Sequence, residues 1–245
     1  MVRSMTDPRR TALVIAHEPD GPAGQVGVRL SQRGFDVTTH LLTSDYDQPN
    51  VFEPWPAWDD FDLIVLMGSV RSLADKESIS GWVHDELAAI RRSVEAEQPV
   101  LGVCFGGQLI ADALGGSVEV SPVTEIGWYP VEPLEGAPAV LGEGPWFEWH
   151  HDRFHPPVGA EVLGRNESSV QLIRVGRTVG TQFHPEVDVG HVEGFLRDAP
   201  PEYLAEIGVV PEQMLAAMAE MEAGNTERCH RLVDWYLDEV AFTDS

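Results

Sequence analysis

The chain has 245 residues, 43% of them hydrophobic and 23% charged, which is long enough to bury a real core and too apolar for a disordered chain. Forty acidic residues against sixteen basic ones give a formal net charge of −24. Such a surface repels phosphate backbones and anionic lipid, so it argues against nucleic acid and membrane as partners.

Residues 1–10 are polar and carry three arginines with no apolar run among them, so they read as a disordered leader and not as a signal peptide. Residues 11–16 form a first strand, whose apolar part is far too short to span a bilayer. A cytoplasmic location is expected from these two features. Residues 24–33 form a helix that stops near Gly34, and residues 35–41 a second strand. Gly24 and Gly27 match neither the dinucleotide nor the P-loop fingerprint, so a helix start explains them. A loop rich in Pro, Asp and Trp covers 43–60. Residues 63–67 are apolar throughout, as in a strand buried on both faces. Residues 79–97 are helical, with Trp82, Val83, Leu87 and Ile90 at helical spacing. A short apolar strand at 100–103 leads into a helix at 108–114, which ends on Gly115 and Gly116.

From 118 to 183 the chain is rich in Pro, Gly and Trp, with short β-like stretches that suggest a mixed or antiparallel extension. Residues 211–240 are helical, with Gly224 and Asn225 expected to break them into two helices. The strand–helix alternation predicts an α/β fold with a mostly parallel sheet and helices on both faces. One domain is expected over 11–189, with a helical C-terminal extension over 190–245 packed on it.

Two segments carry chemistry. The first runs Gly102-Val-Cys104-Phe-Gly106-Gly-Gln108. It reads strand, sharp turn, helix, with small residues two positions either side of the cysteine, as a nucleophile elbow needs. The turn delivers Cys104 to the C-terminal edge of the sheet and to a helix N-terminus, where the dipole and unpaired N–H groups favour a thiolate. The backbone N–H of Phe105 would face a developing oxyanion. The second segment is Gln182-Phe-His184-Pro-Glu186. It supplies a base, His184, and a carboxylate two residues on, Glu186, that can accept the imidazole Nδ1 proton and set the tautomer. A disulfide between Cys104 and Cys229 is not expected, and Cys229 reads as packing in a helix.

Together these segments resemble the two signature motifs of class I, triad-type glutamine amidotransferases. The resemblance covers residues 11–186 and is nearest the stand-alone subgroup similar to the amidotransferase domain of GMP synthetase. It implies a flavodoxin-like three-layer fold. It also implies a γ-glutamyl thioester on Cys104, with ammonia released and water hydrolysing the thioester. Gln108 would hold the amino-acid end of the substrate. The second oxyanion donor would come from Gly68 or Ser69, in a turn that keeps only one glycine where the family commonly has a pair. Glu125, Gly127 and Trp128 resemble a segment that lines the substrate pocket in that subgroup, or else are ordinary β packing.

The histidines of 146–155 and Asp152 are bunched in one segment, which suits a site rim or packing better than a zinc site, so no metal and no cofactor is expected. The expected substrate is glutamine or another γ-glutamyl compound. With no ATP-dependent domain in the sequence, an ammonia acceptor would need a synthase subunit in trans. Two alternatives keep the fold: a stand-alone γ-glutamyl amide or peptide hydrolase with the same triad, and a non-catalytic regulatory subunit.

Overall fold

The structure is a computed structural model that describes residues 9–243. Residues 1–8 of the expected leader lie outside the described residues, and Arg10 already opens the first strand. The strands are β1 (Arg10–Ala16), β2 (Phe35–Leu41), β3 (Leu63–Leu66), β4 (Val100–Val103), β5 (Ser117–Tyr129), β6 (Glu132–Pro133), β7 (Trp146–His155), β8 (Glu161–Arg165), β9 (Val170–Val175) and β10 (Thr178–Thr181). The α-helices are α1 (Gly24–Gln32), α2 (Val83–Glu95), α3 (Phe105–Ala113), α4 (Val189–Asp198), α5 (Pro201–Glu206) and α6 (Pro211–Tyr236).

Eight strands form one sheet in the order β2-β1-β3-β4-β10-β9-β8-β6. The pairs from β2 through β10 are parallel, and β9, β8 and β6 continue the sheet antiparallel. The central strands β3, β4 and β10 are buried at every residue, because helices cover both faces and leave no side for polar residues. One face packs Val14, Val65 and Leu101 against Val26 and Leu30 of α1 and Leu232, Val233 and Tyr236 of α6. The other packs Leu13, Ile64 and Leu66 against Val83, Leu87 and Ile90 of α2 and Leu109 and Ile110 of α3. This is the three-layer, mostly parallel α/β arrangement expected from the sequence. β5 and β7 form a separate antiparallel ribbon, with a register shift between Val120 and Glu125.

The helical parts depart from the sequence reading in three places. The helix expected over 79–97 is α2, which starts later and ends earlier (Val83–Glu95), and a 3₁₀ segment, Leu73–Ile79, kinked at Asp75 (φ −120°, ψ 64°), precedes it. The expected break at Gly224 and Asn225 is absent, and α6 runs through both as a 26-residue helix. A helical glycine costs about 1 kcal/mol relative to alanine. Burial of Met218, Cys229, Leu232, Val233 and Tyr236 along the same helix offsets it. Finally α4 and α5 fall within the helical extension expected over 190–245, of which only 211–240 has expected helix bounds, and they pack with Phe147, Val187 and Met218 in a third apolar cluster.

Candidate active site

β4 ends at Val103 and α3 begins at Phe105, so Cys104 alone makes the turn between them. It adopts φ 51°, ψ −105°, a region that non-glycine residues rarely occupy. The strain persists because neighbours fix it: Cys104 N–H donates to the Thr181 carbonyl of β10 at 2.9 Å, and its own carbonyl accepts from Gln108 N–H at 3.0 Å. Two glycines make the tight turn possible. A Cβ on Gly102 would lie 2.5 Å from the Gly106 backbone, and one on Gly106 would lie 2.2 Å from the Leu66 carbonyl. Phe105 is the first residue of α3, so its N–H has no carbonyl of its own helix to bond.

β10 runs parallel to β4, and the chain leaving it carries His184 to the same sheet edge as Cys104. His184 N–H donates to the Phe147 carbonyl at 2.8 Å, which ties it to β7. Its Nδ1 lies 2.7 Å from Glu186 Oε1, and both side chains are almost fully buried. Burial disfavours a charged imidazole, yet the Glu186 carboxylate and the nearby Cys104 sulfur outweigh it, so His184 is held well above the ordinary histidine value. With Nδ1 committed to Glu186, Nε2 is left for the thiol proton. The backbone of Glu186 is fixed as well, since its carbonyl accepts Gln25 N–H of α1 at 2.9 Å. Asn225 of α6 donates to the next carbonyl, Val187, at 3.4 Å. The supposed helix break is therefore a brace behind the acid.

Cys104, His184 and Glu186 line one cavity of about 660 Å³. Phe105, Gly68, Ser69 and Gln108 line it too. A Cβ on Gly68 would stand 3.1 Å from His184 Cε1, so the Gly68 turn and the histidine are in contact. Gln108 donates to the Asp152 carbonyl at 3.3 Å and to Gln182 Oε1 at 3.4 Å. Gln182 in turn donates to the Cys104 sulfur at 3.7 Å.

Glu125, Gly127 and Trp128 do not line the cavity. They lie on β5, and Glu125 is buried beneath the ribbon, where it accepts from Asn166 at 2.7 Å and stands 3.2 Å from His150 Nε2. Glu148 reaches the same nitrogen at 3.3 Å, and His150 Nδ1 donates to the Asp152 carbonyl at 2.9 Å. Burial lowers the His150 pKa but these two carboxylates more than compensate and raise it to about 10. Burial pushes Glu148 up to about 7. The bunched histidines thus have other partners: His151 bonds Tyr203 and Thr124, and His155 stands 3.0 Å from Glu119. Among the described residues no group of three metal-ligating side chains converges. Both cysteines are free. Cys229 is buried in α6, and burial together with the Glu186 charge pushes its thiol up, so it is a poor nucleophile.

His150, His151 and Asp152, from the run read as a site rim or packing, line the cavity too, and the rest of it comes mostly from residues outside the motifs. Asp20, Tyr46 and Arg71 come from loops after β1, β2 and β3. Trp149 comes from β7 and Phe195, Asp198 and Tyr203 from α4 and α5. The Phe195 ring stands 5.7 Å from the His184 ring and 5.5 Å from that of Trp149. Trp149 lies in the 146–155 run and Arg71 close behind the Gly68 turn, but the others belong to loops and short helices without a spacing rule that would mark them. Among the described residues no helix is long and apolar enough to cross a membrane.

Comparison with known proteins gives the same placement along the chain. The family model "Glutamine amidotransferase class-I" matches residues 28–196. A glutamine amidotransferase-like protein of Salmonella typhimurium, YfeJ, is 28% identical over 94% of this chain and 97% of its own length. A GMP synthase of Aeropyrum pernix is 41% identical over 45% of this chain, which spans only 22% of that larger protein. A glutamine amidotransferase of Thermotoga maritima has the same fold, with a TM-score of 0.81 over 95% of this chain and 100% of the other at 23% identity.

Proposed function

Since this chain belongs to the class I glutamine amidotransferase family, we propose that it hydrolyses the side-chain amide of glutamine through a γ-glutamyl thioester on Cys104. The observation that carries the reading is the strained Cys104 elbow facing the same cavity as a histidine whose Nδ1 is held 2.7 Å from a buried carboxylate. In this account His184 Nε2 takes the thiol proton, and the sulfur attacks the γ-carbonyl carbon. The oxyanion is met by the Phe105 N–H and an N–H of the Gly68–Ser69 turn, each worth about 10²–10³ in rate at comparable sites. His184 returns the proton to the leaving nitrogen, and ammonia departs. Water, deprotonated by the same histidine, then attacks the thioester and frees glutamate. Glu186 fixes the tautomer that lets His184 work in both directions. Gln108 sits where it can hold the substrate's amino-acid end. Asp20, Asp152 and Asp198 on the cavity wall suit an α-ammonium group.

The GMP synthase relatives carry a glutamine-hydrolysing activity in much longer chains. By analogy the ammonia of this protein passes to a synthase partner in trans, in the cytoplasm. Nucleic acid and membrane are not among the proposed partners, in keeping with the charge of −24.

One observation favours a second reading. A cavity of about 660 Å³ walled by Trp149, Phe195 and Tyr203 is in the range of sites for drug-sized ligands and roomier than glutamine requires. A γ-glutamyl amide or peptide with a bulky apolar leaving group would fill it. Glutamate release measured in parallel from glutamine and from γ-glutamyl-p-nitroanilide separates the two. Glutamine as the better substrate supports the amidotransferase. Turnover of the anilide alone supports the hydrolase. Turnover of neither, with Cys104 intact, contradicts both.

A further inference from the structure

His17 and Glu86 are the most deeply buried ionisable pair near the site, and the triad does not use them. Both side chains have no exposed surface. His17 follows β1, and its Nε2 lies 3.0 Å from Glu86 Oε1 and 3.3 Å from Oε2, on α2. Its Nδ1 lies 3.3 Å from the Gly68 carbonyl oxygen. The ring also meets Phe105 edge-on, with centroids 5.0 Å apart, and leans on Trp82 at 5.6 Å. One side chain therefore touches both halves of the candidate oxyanion hole: the turn after β3 and the first residue of α3.

The hydrogen-bond partners fix the protons. A carbonyl oxygen only accepts, so Nδ1 must carry hydrogen to bond Gly68. The bond between Nε2 and Glu86 needs a second proton, so the pair shares one proton more than a neutral imidazole beside an ionised acid. The surroundings agree. Burial works against the charge, but Glu86, and then Glu18, hold the His17 value above the ordinary one. Glu18 is in turn bound by Arg71 Nε at 3.0 Å, and Trp82 and Phe105 bring no charge to the ring.

Within the Gly68–Ser69 peptide the C=O and N–H point in opposite directions. The carbonyl points into the core toward His17, so the Ser69 N–H points the other way, toward the side on which Gly68 and Ser69 line the cavity. A donor on the carbonyl also polarises the peptide and strengthens its N–H. Ser69 is anchored besides, since its hydroxyl accepts Arg71 N–H at 3.0 Å.

We infer that His17 and Glu86 are a positioning couple that fixes and polarises the Gly68–Ser69 peptide, making the Ser69 N–H the second oxyanion donor. This rests on the thioester chemistry proposed above, and acts through the peptide with no contact to substrate.

The test compares His17→Leu, which removes the bond to Gly68, with His17→Asn, whose amide can still donate to it. Three readouts are taken: kcat and KM on the substrate the wild type turns over, alkylation of Cys104 by iodoacetamide, and the melting temperature. Alkylation forms no oxyanion, so it reports the thiol and not the hole. The expected result is a kcat lowered about 10²-fold in His17→Leu, the scale of one lost donor. KM and the alkylation rate stay within about threefold, and His17→Asn recovers about tenfold of the loss. An unchanged kcat in His17→Leu would overturn the inference, as would a parallel loss of kcat and alkylation. Should the leucine variant not fold, ¹⁵N-imidazole NMR of the wild type decides: a protonated His17 Nδ1 at neutral pH supports the couple, and an unprotonated Nδ1 overturns it. A wild type that turns over no γ-glutamyl compound is a failure of the proposed function itself and is told apart by that control.

Discussion

At the scale of single residues the site is a contest between burial and pairing. His184 and Glu186 are both nearly inaccessible, and each would be costly alone, so removing either partner strands a buried charge. Glu186→Gln keeps the shape but no longer holds an imidazolium or the right tautomer. It should lower kcat by about 10²–10⁴-fold with KM changed only a few-fold, measured by steady-state glutamate release. His150 gives a second test. Its folded value of about 10 lies above the ordinary value of about 6.5 for an unfolded chain. The stability it contributes is therefore full below about pH 6.5 and is lost as pH rises through about 10. ¹⁵N-imidazole NMR should find its ring doubly protonated at pH 8, and urea unfolding should show a lower free energy at pH 10 than at pH 7. A ring that titrates near 6.5 would contradict the Glu125–Glu148 network. Glu125, Gly127 and Trp128 show why placement at the cavity was only partly legible. In the β5–β7 ribbon the cavity is lined from β7, by Trp149 to Asp152, and the sequence alone does not say which strand of the ribbon borders the cavity. Cys104, His184 and Glu186 were legible because their motifs encode a backbone turn as well as a side chain.

At the scale of elements, the parallel strands could be read almost to the residue, since strands buried on both faces must be apolar throughout. β4 has the expected bounds, and so does β2, although it is a half-exposed edge strand with polar residues. The helices were harder because tertiary contacts override local preference. Gly224 and Asn225 look like a break, but Asn225 is buried and bonded to the Val187 carbonyl, so α6 continues through them. The bounds of α4 and α5 within the helical extension were not legible, because only four of the ten residues of α4 are buried and the six of α5 are too few to show a period. The elbow itself is the element with least tolerance. A Cβ at Gly106 would stand 2.2 Å from the Leu66 carbonyl, a backbone atom that cannot swing away. Gly106→Ala should cost roughly 1–3 kcal/mol or more and displace Cys104. A lowered urea midpoint together with slower iodoacetamide labelling of Cys104 would show both effects.

At the scale of the whole molecule, the C-terminal helix is part of the core and the site's support. Leu232, Val233 and Tyr236 fill one face of the sheet, each fully buried side chain being worth about 1.5–3 kcal/mol. Arg29 of α1 and Arg33, which caps it, pair with Asp234 at 2.6 Å, which pins α6 to the helix that holds the Glu186 carbonyl. Those partly exposed ion pairs are worth little beside the apolar contacts. Deleting residues 211–245 should leave a chain without a cooperative unfolding transition, as read by near-UV circular dichroism during urea titration. A truncated chain that still unfolds in one sharp step would show the helix to be an appendage. The strongly acidic surface belongs to this scale too. It says which partners are repelled, and the site says what chemistry is offered.

The central claim is that Cys104 carries the γ-glutamyl group. The most direct measurement is glutamate and ammonia release from glutamine by the wild type and by Cys104→Ala side by side, with acid-quenched samples examined by peptide mass spectrometry. The account predicts equal amounts of glutamate and ammonia from the wild type and a γ-glutamyl group on the peptide containing Cys104. From Cys104→Ala it predicts no turnover, with an unchanged melting temperature. Undiminished turnover by the folded alanine variant, or wild-type turnover with the γ-glutamyl group on another residue, would contradict it.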